Sequence, residues 1–133
     1  MKKKILVLGS TGLIGHQVFN YFLNINKYDL YDFTYRKPFQ DNSVIIDARD
    51  EKKYLEKIAE ISPNYIVNCV GILIKGSNIN PENAIFLNAY MPHRLASLAD
   101  DINAKLIHIS TDCVFSGNKN TAYLETDEKD GIS

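Results

Sequence analysis

The fold of this chain is decided by residues 4–15, which are KILVLGSTGLIG. The apolar run at residues 4–8 predicts a buried strand, and glycines follow at positions 9, 12 and 15. Residues 13–23 then carry apolar side chains at the three-to-four-residue spacing of a helix. A strand, a glycine-rich turn and a helix in this order are typical of the first unit of an open α/β sheet.

The three glycines have separate expected tasks in such a unit. Gly9 permits the tight turn, Gly12 lets the backbone approach a pyrophosphate, and Gly15 allows the helix to pack closely on the strand. The helix N-terminus would stabilise the pyrophosphate through its free N–H groups and its dipole. A turn that serves packing alone is the alternative. The dinucleotide interpretation assigns the whole turn to the cofactor: Gly9, Ser10, Thr11, Gly12, Leu13, Ile14 and Gly15.

Strands and helices alternate along the rest of the chain. A helix is expected between Asp50, its predicted N-cap, and Pro63. Another is expected over residues 81–99, with a kink at Pro92. Together with strand 4–8, the further strands predicted at 30–35, 44–46, 65–70 and 105–109 indicate a doubly wound parallel sheet, the Rossmann fold. We expect one dinucleotide-binding domain over residues 1–133, truncated before the helix that would follow the fifth strand and lacking a separate substrate domain.

The composition narrows the classes of function. With 45% hydrophobic and 23% charged residues, the 133-residue chain predicts an ordinary globular domain. A net charge of −1 without a basic stripe argues against nucleic-acid binding, and no apolar run is long enough to predict a membrane span. The two cysteines, Cys69 and Cys113, form no metal-ligand cluster and favour a reducing, cytoplasmic setting. No metal site is predicted.

Two cations follow the second predicted strand. Arg36 and Lys37 stand where an enzyme that uses NAD usually has an acid for the ribose 2′-hydroxyl. Positive charge there suits the 2′-phosphate of NADP, and the Arg36 guanidinium offers forked donors. We therefore expect NADP, with NAD possible if the strand ends earlier and Asp32 serves as the acid. Both cations could also be solvated loop residues.

The fifth predicted strand, whose run 106–109 is expected to be buried, leads into the sequence STDCVFSG at residues 110–117. Hydroxyl and carboxylate groups thus lie at the carboxyl end of a strand, where open α/β sheets bind ligands. The alternative is a hydroxyl-rich segment that caps a turn. Segment 110–117 resembles the STDYVFDG motif of the dTDP-4-dehydrorhamnose reductase family, with Cys113 and Ser116 as departures. ETD at 125–127 and NAYMP at 88–92 are also similar to that family, and the glycine turn resembles its superfamily, the extended short-chain dehydrogenases/reductases.

The resemblance implies roles for residues that spacing alone does not assign. Asp47 and its neighbour Ala48 are expected to contact the adenine end of the cofactor. Asn88 is expected to hold the active-site backbone. Thr111 is the expected catalytic hydroxyl, which binds the substrate carbonyl. The remaining implied positions are Cys69, Val70, Gly71 and Ser110 on the cofactor and Asp112 on the sugar.

The family pattern also includes a catalytic tyrosine followed four residues later by a lysine, and no such pair occurs in these 133 residues. The tyrosine is expected just past Ser133. The parent protein would transfer a hydride from NADPH to a nucleotide-linked 4-keto-deoxysugar, supplying rhamnose-type sugars for polysaccharide. We expect this chain to be inactive alone and to self-associate through the sheet face left uncovered. The alternatives are an epimerase or dehydratase of the same superfamily, and a non-catalytic NADP-binding subunit resembling that of methionine adenosyltransferase.

Overall fold

The computed structural model describes residues 1–131, so Ile132 and Ser133 lie outside the described residues. Five strands form one parallel sheet in the order β3-β2-β1-β4-β5, which confirms the doubly wound α/β fold. The strands are β1 (Lys4–Leu8), β2 (Asp29–Thr34), β3 (Val44–Ile45), β4 (Tyr65–Asn68) and β5 (Lys105–His108). The helices are α1 (Gly15–Ile25), α2 (Glu51–Ile61), α3 (Ile74–Ile79), α4 (Pro81–Ile85) and α5 (Met91–Asp101).

The central strand β1 is apolar on both sides, and helices cover both of its faces. Successive side chains of a strand point to opposite faces. Ile5 and Val7 pack with Phe19 of α1 on one face. Leu6 and Leu8 lie in the larger cluster on the other face, against α2 and α5. Further buried members of that cluster are Phe33, Tyr54, Ile58, Ile66, Met91, Leu95 and Ala99.

The prediction that residues 106–109 form a buried strand is wrong. β5 is the last strand of the sheet, and only Leu106 packs against the main core from it. Ile107 points to the opposite face and is 42% exposed. No helix of residues 1–131 follows β5, where the chain forms only a short 3₁₀ turn at Asp112–Val114. The second face of β5 is therefore bare in the described part of the chain.

The helix predicted over residues 81–99 is confirmed in its extent, since the backbone stays helical from Pro81 to Asp101. The chain forms α4, then a π-helical turn (Phe86–Tyr90), then α5. Pro92 follows the π-helical turn, in which the Met91 amide donates to the Phe86 carbonyl, and the kink predicted at Pro92 stays a prediction. The short helix α3 was not predicted.

Two predicted boundaries shift for local reasons, and one predicted cap makes no side-chain bond. α1 begins at Gly15 instead of position 13, because the amide of Gly12 donates to the Gly9 carbonyl at 2.9 Å and keeps the turn open. β4 ends at Asn68, whose side-chain Oδ1 accepts from the amide of Val70 at 3.1 Å. Asp50 does precede α2, yet its side chain makes no capping hydrogen bond.

Candidate dinucleotide-binding site

A cavity of about 440 Å³ lies at the carboxyl ends of β1 to β4. The chain reverses its direction of travel through the sheet between β1 and β4, and open α/β sheets bind ligands at that crevice. The segments that line the cavity come from the ends of all four strands and from the helices beside them. They contribute Gly9, Thr11, Gly12, Phe33, Thr34, Tyr35, Arg36, Ile46, Asp47, Ala48, Arg49, Tyr54, Cys69, Val70, Gly71, Ile72, Asn83 and Leu87.

The glycine turn forms the floor of this cavity. Gly9 has a φ of +81°, which glycine adopts without strain, and its amide donates to the Phe33 carbonyl at 2.9 Å. A side chain at Gly15 would overlap the Gly9 carbonyl, so the helix can approach the turn only with glycine there. Gly9, Thr11 and Gly12 line the cavity, whereas Gly15 is buried and the side chains of Leu13 and Ile14 are exposed outside it.

The side chain of Ser10 turns inward, away from the cavity. Its hydroxyl donates to Asp32 Oδ2 at 2.5 Å, and both residues are fully buried. Asp32 lies inside β2 and also accepts from Gln40 and Ser43. The alternative in which Asp32 ends the strand and binds a ribose hydroxyl is therefore wrong, because its carboxylate is turned into the protein.

One wall of the cavity carries two guanidinium groups around a tyrosine ring. The Arg36 and Arg49 guanidinium carbons lie 5.2 Å and 5.6 Å from the Tyr35 ring centre. Arg49 also donates to the Tyr35 hydroxyl at 2.7 Å. Arg36 lines the cavity, while Lys37 is exposed and does not. The two cations predicted together thus have different surroundings.

Asp47 and Arg49 form an ion pair on the same wall, with Nη2 and Oδ2 2.5 Å apart. The hydrogen bond from the Arg49 side chain holds the pKa of the Asp47 carboxyl below its ordinary value, and the same bond raises the pKa of Arg49. Asp47 is therefore an anion whose oxygens are already engaged by a neighbour. Arg36 carries no ion pair in the described residues and leaves its donors available to a ligand.

The buried polar groups of the cavity wall are few. Thr34 is 2% exposed, and its Oγ1 has no hydrogen-bond partner among the described residues. The Tyr54 hydroxyl group lies in the core, where burial strongly raises its pKa and keeps it neutral. Burial also raises the pKa of the Cys69 thiol, so Cys69 acts as a small apolar group and not as a nucleophile.

The loop after β4 closes the cavity opposite the arginines. Cys69, Val70 and Gly71 line it, and Asn88 holds the backbone of the next residue. The Asn88 side chain accepts from the Ile72 amide at 2.7 Å and donates to the Ile72 carbonyl at 2.8 Å. Asn88 itself does not line the cavity but contacts the loop backbone, and the role that the family resemblance implies for it stays a prediction.

Residues Ser110, Thr111 and Asp112 lie at the carboxyl end of β5, at the same edge of the sheet, but none of them lines the cavity. All three are exposed. Thr111 Oγ1 accepts from the Cys113 amide at 3.2 Å and caps the 3₁₀ turn. The capping alternative thus describes the contact that this hydroxyl makes within the described chain.

The structure brings together more than half of the predicted cofactor residues and adds others. Gly9, Thr11, Gly12, Arg36, Asp47, Ala48, Cys69, Val70 and Gly71 meet at the cavity. Sequence reasoning missed Thr34, Tyr35 and Arg49, which lie within two residues of Arg36 or Asp47. The alternation of side chains along β2 could have indicated Thr34, since a polar residue on a buried strand face needs a partner.

None of the helices in residues 1–131 is long and apolar enough to cross a membrane. Within the same residues, no three histidine, cysteine, aspartate or glutamate side chains lie close enough together to hold a metal ion.

Comparison with known proteins finds relatives that match almost the whole of this chain. The chain is 30% identical over 128 residues to the probable low-salt glycan biosynthesis reductase Agl14 of Haloferax volcanii, covering 92% of this chain and 41% of the relative. It is 33% identical over 131 residues to methionine adenosyltransferase 2 subunit beta of Danio rerio, covering 94% and 38%. The chain thus spans about 40% of the length of these relatives.

A solved structure and a family model give the same result. The crystal structure of dTDP-4-dehydrorhamnose reductase from Bacillus anthracis in complex with NADP superposes with a TM-score of 0.81 at 26% identity. The match covers 96% of this chain and 43% of that one. The model of the RmlD substrate binding domain matches residues 2–133. The resemblance inferred from the glycine turn and the STDCVFSG segment is confirmed, and the chain belongs to the RmlD substrate binding domain family.

Proposed function

We propose that this chain is the NADP-binding part of a reductase that acts on a nucleotide-linked 4-keto-deoxysugar. The observation that carries the proposal is the cavity at the carboxyl edge of the sheet, with a glycine turn on its floor and Arg36 on its wall. Its volume of about 440 Å³ suits one end of a dinucleotide. The NADP complex of the Bacillus anthracis relative supports the choice of cofactor.

The residues present fit the adenosine and phosphate groups of NADP. Gly9 and Gly12 leave the backbone open to a pyrophosphate before the N-terminus of α1. The Arg36 side chain offers forked donors to a 2′-phosphate. Thr34 lies on the same wall, and we propose that its hydroxyl, which is buried and lacks a partner among the described residues, turns toward a bound ribose.

When bound, NADPH supplies the hydride that reduces the sugar carbonyl. In our proposal the Thr111 hydroxyl donates a hydrogen bond to the carbonyl oxygen and stabilises the charge that develops there. Its Oγ1 accepts from the Cys113 amide, so its own proton remains available for donation. In the same proposal the neighbouring Asp112 contacts the sugar. Because these 133 residues contain no Tyr-x-x-x-Lys pair, the activity proposed for the chain itself is binding.

Calorimetric titration of the purified chain with NADPH and NADH tests this proposal. We expect saturable binding of both, with NADPH bound more tightly because only it carries the 2′-phosphate. Absence of heat with either dinucleotide at millimolar concentration would contradict cofactor binding. Tighter binding of NADH would contradict the assignment of Arg36.

The contribution of Arg36 can be isolated by substitution. Arg36→Ala removes the forked donors and should weaken NADPH binding roughly tenfold, with little effect on NADH. Lys53→Ala is the matched control, since it removes one exposed positive charge from α2 outside the cavity. Equal weakening of NADPH by both variants would mean that Arg36 acts only through the general electrostatic field.

A second candidate function is a non-catalytic NADP-binding subunit. The 33% identity to methionine adenosyltransferase 2 subunit beta favours it, because that relative is named as a subunit and not as a reductase. A Tyr-x-x-x-Lys sequence in residues that follow Ser133, with NADPH oxidation that depends on a dTDP-4-keto-sugar, would support the reductase. Binding of NADPH without such oxidation, in a chain that includes those residues, would support the subunit.

We propose that the reaction takes place in the cytoplasm and supplies a sugar for a surface polysaccharide. The glycan biosynthesis named for the Haloferax volcanii relative supports the first part. The thiols of Cys69 and Cys113 are free, which suits a reducing compartment.

A further inference from the structure

Asp32 is a buried carboxylate that does not line the cavity. It lies within β2 and is 1% exposed. Its Oδ2 accepts from the hydroxyls of Ser10 at 2.5 Å and Ser43 at 2.8 Å, and its Oδ1 accepts from Gln40 Nε2 at 3.0 Å. Burial of a charge is costly unless donors surround it, and three uncharged side chains supply those donors here.

The donors belong to two separate segments of the chain. Ser10 is part of the glycine turn that follows β1. Gln40 and Ser43 belong to the loop between β2 and β3, which begins with the cavity residues Tyr35 and Arg36. One carboxylate therefore connects the proposed pyrophosphate turn to the loop that carries the proposed 2′-phosphate ligand.

Ser43 also organises that loop internally. Its hydroxyl oxygen accepts from the amides of Phe39 and Gln40, both at 2.9 Å, and its own amide donates to the Gln40 carbonyl at 3.1 Å. Because the two amides occupy the oxygen lone pairs, the Ser43 proton is directed to Asp32. These bonds close the loop around Ser43, and the bond to Asp32 attaches Ser43 to β2.

We infer that Asp32 is a positioning residue that sets the preference for the 2′-phosphate, by holding the Arg36 loop at a fixed place relative to the glycine turn. The inference rests on the proposed dinucleotide binding. The pyrophosphate and the 2′-phosphate are joined by a ribose, so their binding groups must be spaced to match. A preformed spacing spares the loop the entropy cost of ordering when the ligand binds. Asp32 itself does not touch the ligand.

Two single-atom deletions separate the two connections. Ser43→Ala releases the loop and should weaken NADPH binding roughly five- to tenfold while leaving NADH unchanged, since NADH has no group for Arg36 to bind. Ser10→Ala releases the glycine turn and should weaken both dinucleotides by a similar factor, since both carry the pyrophosphate. The ratio of the NADPH and NADH dissociation constants is the readout that a merely stabilising role would not move.

Substitution of Asp32 itself provides a conservative comparison. Asp32→Asn keeps one oxygen for the two serine hydroxyls, and the Gln40 amide can rotate to accept from the new N–H. It should therefore retain more of the NADPH preference than Asp32→Ala, which removes every acceptor. Circular dichroism and thermal unfolding of each variant establish that it folds.

A measurement on the unchanged chain covers the case in which a variant fails to fold. NADPH should slow amide hydrogen exchange at Phe39 and Gln40 more than NADH does, because only the 2′-phosphate engages this loop. Equal slowing by both ligands, or equal weakening of both by Ser43→Ala, overturns the inference while dinucleotide binding stands. If the unchanged chain binds neither dinucleotide, the proposed function fails first and the inference fails with it.

Discussion

Thr34 lines the cavity, and the burial of its hydroxyl group costs stability. Its buried Oγ1 lacks a partner in the described residues, and an unsatisfied hydroxyl in that position costs about 1–3 kcal/mol. Thr34→Val keeps the shape and removes the cost, so the free energy of unfolding without ligand should stay the same or rise by about 1 kcal/mol. NADPH affinity should fall, since the ribose loses a hydrogen bond. Urea unfolding and calorimetry measure the two effects.

Stability and NADPH affinity should change in different ways in Thr34→Val, so measuring both tests the prediction. Thr121→Val is the control, because Thr121 is exposed and outside the cavity. It should change neither quantity. A fall in the stability of Thr34→Val, or an unchanged NADPH affinity, would mean that the Thr34 hydroxyl serves the protein and not a ligand.

Gly15 tests the close approach of α1 to the glycine turn. Glycine-to-alanine changes in helices normally stabilise by about 0.5–1 kcal/mol. At Gly15 the added methyl group would overlap the Gly9 backbone, which cannot move without disturbing the turn. We expect the cost of overpacking to exceed the gain in helix propensity. Gly15→Ala should therefore lower the free energy of unfolding by about 1–3 kcal/mol in a urea titration.

Gly71→Ala is the matched control for Gly15. A methyl group there would lie 3.4 Å from the Asn88 side chain, an ordinary contact. Its effect on stability should be small. A loss equal to that of Gly15→Ala would indicate that both glycines are needed for backbone flexibility instead of space.

Some residues of the site could be predicted from the sequence, and others could not. Gly9, Gly12 and Arg36 were predictable because their spacing from a strand end is local in the sequence. The partners of Asp32 lie 22, 8 and 11 residues away, so its contact with Ser10, Gln40 and Ser43 depends on the finished fold. Arg49 was missed for a similar reason, since its position beside Tyr35 arises only when β2 and β3 pair.

The pairing of β4 with β5 contains a titratable hydrogen bond. Asn68 Oδ1 accepts from the Val70 amide, so Asn68 Nδ2 donates to His108 Nδ1 at 3.1 Å. The acceptor must be unprotonated. Desolvation lowers the pKa of His108 below its ordinary value of 6.5. The native state therefore binds fewer protons than the unfolded state near that pH, and its stability falls as the pH drops through 6.5.

Unfolding in urea at several pH values measures this dependence. His108→Asn is the control, since its side-chain oxygen can replace Nδ1 as acceptor without titrating. We expect the variant to lose the part of the stability decline that begins near the ordinary histidine pKa of 6.5 and continues toward lower pH. If the decline is the same in both proteins, the bond between Asn68 and His108 does not contribute to it.

Elements with one clear apolar pattern were predicted well, and those without one were not. β1 was predicted to the residue, because Ile5 to Leu8 are all buried. Leu13 and Ile14 suggested an earlier start for α1, but they are 84% and 46% exposed because the turn needs those positions. In the segment between β4 and α5, Leu73 and Ile79 are also exposed, so apolar residues there do not indicate a helix that faces the core.

At the scale of the whole molecule, the sheet was predictable because alternating strands and helices with right-handed crossovers permit few arrangements. The burial of each strand was not, because it depends on what covers both faces. β5 has the same apolar character as an inner strand, yet it lies at the edge of the sheet. Ile107 continues the face formed by Val67, its partner on β4, beyond the reach of α1.

This bare face predicts self-association of the chain. Among residues 1–131 no strand lies beside the outer edge of β5, and Ile107 adds an exposed apolar side chain to it. Such edges pair with other strands unless charge or bulk prevents it. Sedimentation velocity should therefore show a weight-average mass that rises with concentration. Ile107→Lys should suppress that rise, because a charged side chain on an edge strand opposes pairing.

The opposite edge of the sheet provides the control. Ile45 of β3 is 53% exposed, but β3 has only two residues and offers little to pair with. Ile45→Lys makes the same chemical change and should leave the association unchanged. A monomer at every concentration would contradict the prediction outright. Equal suppression by both substitutions would mean that net charge, and not the face of β5, governs association.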